Sequence, residues 1–417
     1  MEKSGKFRLT SLERNWILYD VGNSAFVLMV ATLIPIFFNA LAEAGGLSSV
    51  EYLAYWGYAS SAVTVITAVL SPILGTVADT KGFKKPIFIL CVFVGIVGCC
   101  AMGAASAWLP FLVIFVIAKV GFSGSLVFYD SMLSDVTTPE RMDEVSSRGY
   151  AWGYIGSCVP FVVCLGLVLG AGSIGISQMT ALNLALLLTA AWWLLTTLPL
   201  LKSYKQLYYV EVEKHAVRQS FARIGHTLRH LPEDKQVFWF LLAFFCYIDG
   251  VYTIIDMATA YGTALDLDTT GLLLALLVTQ IVAFPSALVF GRLSNKYPSA
   301  KLIPVCIAAY AGIAVFAFFL TRQWQFWVLA VIVGMFQGGV QALSRSHFAK
   351  IIPPEKSGEY FGLFDICGKG AHFLGTMIVS VGSQLTGSAN VGVGSLIVLF
   401  IVGFVLFRVS CRQGETA

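Results

Sequence analysis

Ionisable side chains within long apolar stretches are the residues of this sequence best suited to chemistry. Lys119, Asp249 and Lys369 each lie about ten to twelve residues inside such a stretch, near the middle of a bilayer if the stretches are helices. A charge at that depth is costly and by default faces a cavity or a partner. We therefore expect these three residues to bind the carboxylate and amine groups of a small solute.

Helical spacing adds neighbours to this group. Asp365 precedes Lys369 by four residues, so the two share a helix face. Tyr252 and Asp256 share a face with Asp249 in the same way, and we expect Tyr252 to bind substrate and Asp256 to act in coupling or gating. Four amides could also hydrogen-bond a polar ligand: Asn23, Gln280, Gln337 and Gln341. Two alternatives stay open, because Asp365 and Lys369 could form a self-neutralising structural pair and the glutamines could hold helices together.

A second set of charged residues lies nearer the ends of the apolar stretches. For this set, a gating network and direct substrate contact are both open: Asp20, Asp130, Asp135 and Arg345. Asp249 is in addition the candidate for proton coupling. It stays ionised while Lys119 or Lys369 pairs with it, and it gains a proton when a substrate carboxylate draws that lysine away.

Composition identifies the stretches as membrane spans. Hydrophobic residues make up 57% of the chain and charged residues 12%, against roughly 45–50% and 25% in soluble domains. The sequence predicts an all-α membrane protein with twelve transmembrane helices. They cover residues 16–41, 53–78, 87–107, 109–134, 147–170, 178–201, 237–262, 271–294, 302–320, 324–349, 359–385 and 391–408.

Two internal echoes divide these helices into two six-helix bundles. A Pro-Glu-basic-x-x-Glu pattern at residues 139–144 recurs 215 residues later at 354–359, and residues 75–79 recur at 291–295. Parallel repeats of this kind mark transporters whose halves rock against each other. We expect bundles at 1–201 and 237–417. Between them lies a linker, 202–236, with a short amphipathic surface helix around Phe221, Ile224, Leu228 and Leu231.

The basic residues predict the orientation. All Lys and Arg except Lys119, Lys369 and Arg322 fall on the side that holds both termini, which we therefore expect to be cytoplasmic. The net charge of +4 is explained by basic loops facing anionic lipid headgroups, so membrane lipids are expected partners and nucleic acid is not. We expect a monomer in the cell membrane.

Motifs for other kinds of chemistry are missing. Eight of the nine cysteines lie within apolar stretches, without the spacing of a zinc site, and we read them as small packing residues. No phosphate-binding loop, metalloprotease motif or catalytic triad order is present. The sequence therefore predicts no enzyme activity, no cofactor and no metal.

The loop between spans 2 and 3 carries a family resemblance. Gly75-x-x-x-Asp79-x-x-Gly82-x-Lys84-Lys85 resembles the loop signature of the major facilitator superfamily, and residues 291–301 resemble its degenerate second copy. Segments 16–24, 129–135, 148–156, 249–253 and 337–346 resemble the branch that includes the autophagy-linked vacuolar amino-acid effluxer of fungi. The resemblance implies the major facilitator fold and alternating access, with amino-acid export as one implied activity.

The same loop has a physical reading of its own. Asp79 ends span 2, where a carboxylate can face a helix N-terminus or a cation, and Gly75 and Gly82 allow close approach and a tight turn. Asp79 and Lys85 are thus candidates for a latch that holds one conformation. We expect Lys81, Lys84 and Lys85 to meet lipid headgroups.

Three functions remain open. The favoured one is a secondary transporter for a small polar solute, zwitterionic or anionic, with protons as candidate coupling ions. The second is an exporter or flippase of an amphipathic molecule such as a lipid, peptide or drug, which the 13% aromatic content keeps open. The third, a membrane-embedded enzyme or sensor, lacks a catalytic constellation.

Overall fold

The computed structural model describes residues 7–211, 225–227, 229–265 and 267–416, which are almost entirely helical. Among them are twelve helices long enough to cross a bilayer, at about 20 residues each, one for each predicted span. They are α1 (Ser11–Ala31, continued after a break by Leu33–Ala44), α2 (Ser49–Ala78), α3 (Lys84–Gly103), α4 (Trp108–Ser131), α5 (Met142–Leu169), α6 (Gln178–Ser203), α7 (Lys235–Ala264), α8 (Thr269–Leu293), α9 (Ser299–Phe318), α10 (Gln323–Ile351), α11 (Ser357–Thr386) and α12 (Ile397–Thr416).

One of these helices is more polar than the rest. The other eleven each contain a window with a mean hydropathy of 1.7 or more, as membrane spans do. Helix α11 has 30 residues, long enough to span, but it includes Glu359, Asp365 and Lys369. Because such charges avoid hydrocarbon, their positions indicate a helix with one face turned towards the protein interior.

The two halves meet along two equivalent seams. Within the first half α1 packs against α5 and α6, and within the second half α7 packs against α11 and α12. Between the halves, α2 packs against α11, while α5 packs against α8 and α10. Since α2 and α8 are second in their halves and α5 and α11 are fifth, the α2–α11 and α5–α8 seams repeat each other. The Pro-Glu echo precedes α5 in one half and α11 in the other, as the repeat predicts.

The chain between the bundles is described only in part. Residues 204–211 run along the end of the first bundle, and Val210 forms a bridge with Thr80 in the loop before α3. The amphipathic helix expected around Phe221, Ile224, Leu228 and Leu231 lies mostly outside the described residues.

The start of α1 is fixed by a buried carboxylate. Glu13 and Thr10 form a capping box, with hydrogen bonds of 2.7 and 3.1 Å. The Glu13 side chain, only 1% exposed, also accepts two hydrogen bonds of 2.7 Å from Arg141 and one of 2.6 Å from Thr137. One residue thus joins α1 to the loop that precedes α5.

We expect Glu13→Ala to reduce the free energy of unfolding by about 1–3 kcal/mol, because it leaves a partly buried guanidinium and a helix start without their acceptor. Thermal unfolding of the purified protein in lipid measures this. Arg14→Ala, an exposed neighbour, is the control and should change the midpoint little. An equal loss in both variants would contradict the assignment.

Candidate functional site

The described polar contacts between the halves lie on one side of the molecule. Twelve spans put both chain ends on one side, here named the terminal face. The hydrogen bond farthest from this face joins Tyr154 of α5 to Gln341 of α10 at 3.1 Å, about 18 Å from the start of α5. Nearer the opposite face, no hydrogen bond or ion pair joins the halves among the residues that the structure describes. By their described polar contacts, the two bundles are therefore closed against each other at the terminal face.

Helix α11 is capped by a residue of the other half. The Asp79 carboxylate accepts hydrogen bonds from the backbone N–H groups of Gly358 and Glu359, at 2.7 and 2.8 Å. First-turn N–H groups have no partner within their own helix, and the helix dipole favours an anion there. A Cβ on Gly75 would lie 2.1 Å from the Gly358 carbonyl oxygen, so this approach requires glycine.

A buried lysine completes this contact, which we name the first latch: Asp79, Lys84, Asp135, Ser357, Gly358 and Glu359. The Lys84 ammonium is fully buried, 3.7 Å from Asp79 and 3.5 Å from Asp135, and donates to the Ser357 hydroxyl at 2.8 Å. The expectation that Lys84 meets lipid headgroups is wrong, because α3 begins there and turns the side chain into the seam. Lys85 is half-buried and makes none of the described latch contacts.

Asp79 lies just beyond the end of α2, and its environment sets its charge. Its pKa is raised to about 6: burial raises it most, the attraction of Lys84 and the two N–H donors lowers it, and repulsion by the Glu359 carboxylate is part of the rise. At neutral pH Asp79 is therefore mainly ionised, which is the form that accepts both hydrogen bonds.

Asp135 has a positioning role in addition to its contact with Lys84. Its carboxylate accepts hydrogen bonds from the Tyr204 hydroxyl at 2.5 Å and from the N–H groups of Leu207 and Tyr208 at 3.0 and 2.9 Å. The first residues of the inter-bundle linker are thus held on the first latch. The sequence placed Asp135 in a gating network but gave no sign of this partner.

The second seam carries an equivalent contact, which we name the second latch: Asp143, Glu144, Arg148, Asn295 and Lys350. Glu144 accepts from Asn295 at 2.7 Å and pairs with Arg148, while Asp143 pairs with Lys350 at 2.7 Å. Sequence reasoning missed Asp143 and Lys350. The Pro-Glu echo, which ends at Glu144 and Glu359, was the signal that pointed here.

Arg345 closes the space between the two latches. It is 2% exposed and lies 3.0 Å from Asp130 and 3.6 Å from Asp20, with the rings of Trp16 and Tyr150 against its guanidinium. It also donates to the Ser146 hydroxyl at 2.9 Å. Asp130 and Arg345 are 215 residues apart, so the ion pair joins equivalent positions of the two halves. The sequence named both residues but did not pair them, although the repeat offset relates them.

Lys119 lies beyond this closure, towards the opposite face. It is half-buried in α4, about 18 Å from the helix end at Ser131, with its ammonium 4.9 Å from the centre of the Phe122 ring. Lys369 repels it and Asp256 attracts it, so it faces α7 and α11 of the other half. Lys119 has no ion-pair partner among the described residues.

The other two residues expected beside Lys119 have partners of their own. Lys369 pairs with Asp365 at 2.6 Å, and Asp365 also accepts from the Ser71 hydroxyl at 2.8 Å. Asp249 is fully buried and accepts from Thr253 at 3.3 Å. Asp249 therefore does not pair with a lysine among the described contacts, contrary to expectation. For Lys369, the structure shows the alternative, an ion pair with Asp365 four residues earlier in the same helix.

Several uncharged polar groups are available near this level. Three amides each keep a buried polar atom without a hydrogen-bond partner among the described groups: Asn23, Gln280 and Gln337. Gln341 instead joins the halves through Tyr154, as the alternative reading of the glutamines predicted. Tyr252 is half-buried beside Gly368, and Asp256 is exposed. Groups able to bind a polar solute thus come from both halves.

The chain matches a known protein family over nearly its whole length. The family model described as "Vacuole effluxer Atg22 like" matches residues 11–142 and 134–416. The chain belongs to this family. It is 41% identical to the uncharacterized MFS-type transporter YxiO of Bacillus subtilis, over 98% of this chain and 97% of the relative. It is therefore a multi-pass membrane transporter of the major facilitator superfamily and not an enzyme.

More distant relatives agree with the fold. Autophagy-related protein 22 of Coccidioides immitis is 24% identical over 65% of this chain, which spans about half, 51%, of that relative's length. The crystal structure of the human organic anion transporter MFSD10 superposes with a TM-score of 0.72 at 14% identity, covering 95% of this chain and 98% of that one. This likeness confirms the major facilitator fold of two six-helix bundles.

We expect Asp79→Asn to open the terminal face, because the amide replaces one of two acceptor oxygens with a donor that faces the Glu359 N–H. Loss of a charge-to-dipole contact is typically worth about 0.3–1 kcal/mol, up to about 2 when partly buried, so the open fraction should rise several-fold. Labelling of an introduced cysteine on the closed side, in a cysteine-free background, measures it. Lys81→Ala, exposed in the same loop, is the control. Unchanged labelling of folded Asp79→Asn would leave the loop only an anchoring role.

We expect Arg345→Gln to lower stability strongly, by about 3–5 kcal/mol, because it leaves buried carboxylates unpaired. Adding Asp130→Asn should recover part of that loss, since one of the uncompensated charges is removed. Unfolding midpoints of the two single variants and the double variant form a double-mutant cycle. Strictly additive losses would show that Asp130 and Arg345 do not interact.

Proposed function

We propose that this chain is a secondary transporter that moves a small polar solute, zwitterionic or anionic, across the membrane by alternating access. The observation that carries the proposal is Lys119, a lysine at mid-membrane depth that faces the second half and has no ion-pair partner among the described residues. A half-buried cation at this depth, without an ion-pair partner among the described residues, favours an anionic ligand because the ligand supplies the missing charge.

The surroundings of Lys119 support a zwitterion as well as an anion. Asp256 of α7 attracts Lys119 across the interface. Nearer the terminal face, the two carboxylates of Asp20 and Asp130 carry more negative charge than the single positive charge of Arg345 balances. An amine could therefore be bound opposite the carboxylate. The amides of Asn23, Gln280 and Gln337 supply further hydrogen bonds. Lys369, neutralised by Asp365, is a weaker contact.

The orientation and movement follow from the same residues. We place the terminal face in the cytoplasm, since the basic loops lie there, which makes this conformation outward-facing. The bundles 1–201 and 237–417 move as two units, with the latches as the contacts that open. We place the protein in the cell membrane, as a monomer in contact with anionic lipids.

The amphipathic alternative has one feature in its favour. An apolar cavity of about 150 Å³ lies between α2, α3 and α4, lined in part by Leu70, Leu90, Gly121 and Gly124. Ligand sites are usually about 300–1,000 Å³, so a cavity of this size accommodates a piece of a lipid or drug rather than the whole. The polar solute remains the better supported substrate.

The test is a ligand screen by thermal shift on the purified protein, covering amino acids, small organic anions, peptides and lipids. Lys119→Ala should weaken binding of the best polar ligand by about 10- to 100-fold, the equivalent of one charge-assisted hydrogen bond. Lys301→Ala, an exposed lysine at the start of α9, is the control. Stabilisation by lipids or drugs alone, or unchanged affinity in Lys119→Ala, would overturn the proposal.

A further inference from the structure

The first latch contains a carboxylate that the contacts above do not explain. Glu359 is fully buried, and neither of its side-chain oxygens has a hydrogen-bond partner among the described residues. Only its backbone N–H is used, as a donor to Asp79. A buried carboxylate without a partner is costly when ionised and far less so when it carries a proton.

The internal repeat shows what is missing around Glu359. Its equivalent in the first half is Glu144, 215 residues earlier, which pairs with Arg148 and accepts from Asn295. At the position equivalent to Arg148 the second half has Leu363, and the counterpart of Asn295 is Asp79. Glu359 has therefore exchanged a cation for an apolar residue and an amide donor for a second carboxylate.

The charges of the two latches differ accordingly. In the second latch Asp143 and Glu144 are balanced by Lys350 and Arg148. In the first latch one cation, Lys84, serves three carboxylates, all at most 3% exposed: Asp79, Asp135 and Glu359. The oxygens of Asp79 and Asp135 accept hydrogen bonds, whereas those of Glu359 accept none from the described part of the chain. The surplus of negative charge therefore falls on the Asp79–Glu359 pair.

We propose that the Asp79–Glu359 pair binds a proton more tightly when the first latch is closed than when it is open, so that closure favours proton uptake and opening favours proton release. The proton lies between the two carboxyl groups, so that one donates a hydrogen bond to the other while Asp79 keeps its contacts with the α11 N-terminus. It belongs to the pair rather than to either residue. This inference rests on the proposed alternating access, for which it supplies a site of proton coupling.

The direction of the pH effect follows from linkage. When the latch opens, both carboxyl groups meet water, where acids of this type titrate near 4. In the closed latch the pKa of Asp79 is about 6, higher than that of the same acid in water. The closed state therefore holds the proton more tightly, and lowering the pH through 6 favours closure. The other titratable groups around the pair are Lys84, Asp135, Tyr204, Tyr360 and Asp234.

The test measures the conformation directly, without substrate. Cysteines introduced at the exposed positions Thr138 and Tyr297, one on each half at the terminal face, carry spin labels in a background without the native cysteines. Distance distributions of the full-length protein in lipid nanodiscs are recorded at pH values of about 5 and 7.5. The ratio of closed to open wild type should be roughly tenfold higher at the lower pH, given a pKa of about 6 for Asp79 in the closed latch and about 4 for an aspartic acid in water.

Two variants separate proton binding from a structural role. Glu359→Gln, which resembles the protonated acid, should be closed to the same extent at both pH values. Glu144→Gln changes the equivalent residue in the balanced latch and should keep the wild-type pH dependence, even if the level of closure shifts. A wild-type pH response that persists in Glu359→Gln would overturn the proposal, and so would a wild type that does not respond.

If Glu359→Gln does not fold, infrared spectroscopy of the wild type replaces it. At the lower pH, the C=O stretching band of a protonated carboxylic acid should appear. The band should shift to lower frequency in protein labelled with ¹³C-glutamate or in protein labelled with ¹³C-aspartate, which assigns the proton to one of the two residue types. Its absence with both labels would overturn the proposal. Because neither measurement uses a substrate, failure of the polar-solute assignment leaves this result unaffected, and the reverse is also true.

Discussion

The structure depends on one constraint, which is the cost of holding ionised groups away from water between two bundles. A charge in the membrane interior must find a partner of opposite charge or a helix end. In this chain many of the partners lie in the other half: Asp79 caps α11, Asp143 pairs with Lys350, and Arg345 pairs with Asp130. The interface is thus polar, buried and dependent on closure. In the proposed alternating-access cycle, such an interface would favour discrete closed and open states, because a half-open geometry leaves charges unpaired in low dielectric.

The internal repeat decides where these partners lie. Equivalent helices form equivalent seams, so each half presents a helix end to the other half. The sequences at the two seams have since diverged, with Asp79 opposite Glu359 at one and Asn295 opposite Glu144 at the other. One latch is balanced in charge and the other is not. Two identical seams would respond alike to pH, whereas the proposed proton binding would confine the response to the α2–α11 seam.

The fold could be predicted from the sequence because hydropathy and length decide which segments enter a bilayer. The first latch could be predicted in outline, since the glycines before α3 allow close helix approach and a tight turn and the aspartate can face a helix N-terminus. The sequence could not predict that Lys84, rather than Lys85, is the lysine of the first latch. Helix α3 begins at Lys84, and successive residues of a helix differ by about 100° in direction. Of the two adjacent lysines, one can therefore point into the protein interface while the other points away from it, and the sequence does not show which is which. Asp249 has a local partner, Thr253, four residues along α7. Whether a lysine of another helix can reach Asp249 depends on the rotation of α7 against its neighbours, which local spacing does not fix.

The linker adds a physical coupling that a sequence of two bundles does not suggest. Residues 204–211 are hydrogen-bonded to Asp135, to the Asp79 carbonyl and to the loop before α3. Asp135 also lies 3.5 Å from Lys84, the single cation of the first latch. The covalent connection between the halves is therefore anchored at the contact that would have to break in the proposed alternating-access movement. Any movement that pulls residues 207 and 208 away from Asp135 leaves this buried carboxylate with one of its three described donors, the Tyr204 hydroxyl, and this strengthens its attraction for Lys84 at the expense of Asp79. The state of the linker and the state of the first latch are thus bound together through one side chain.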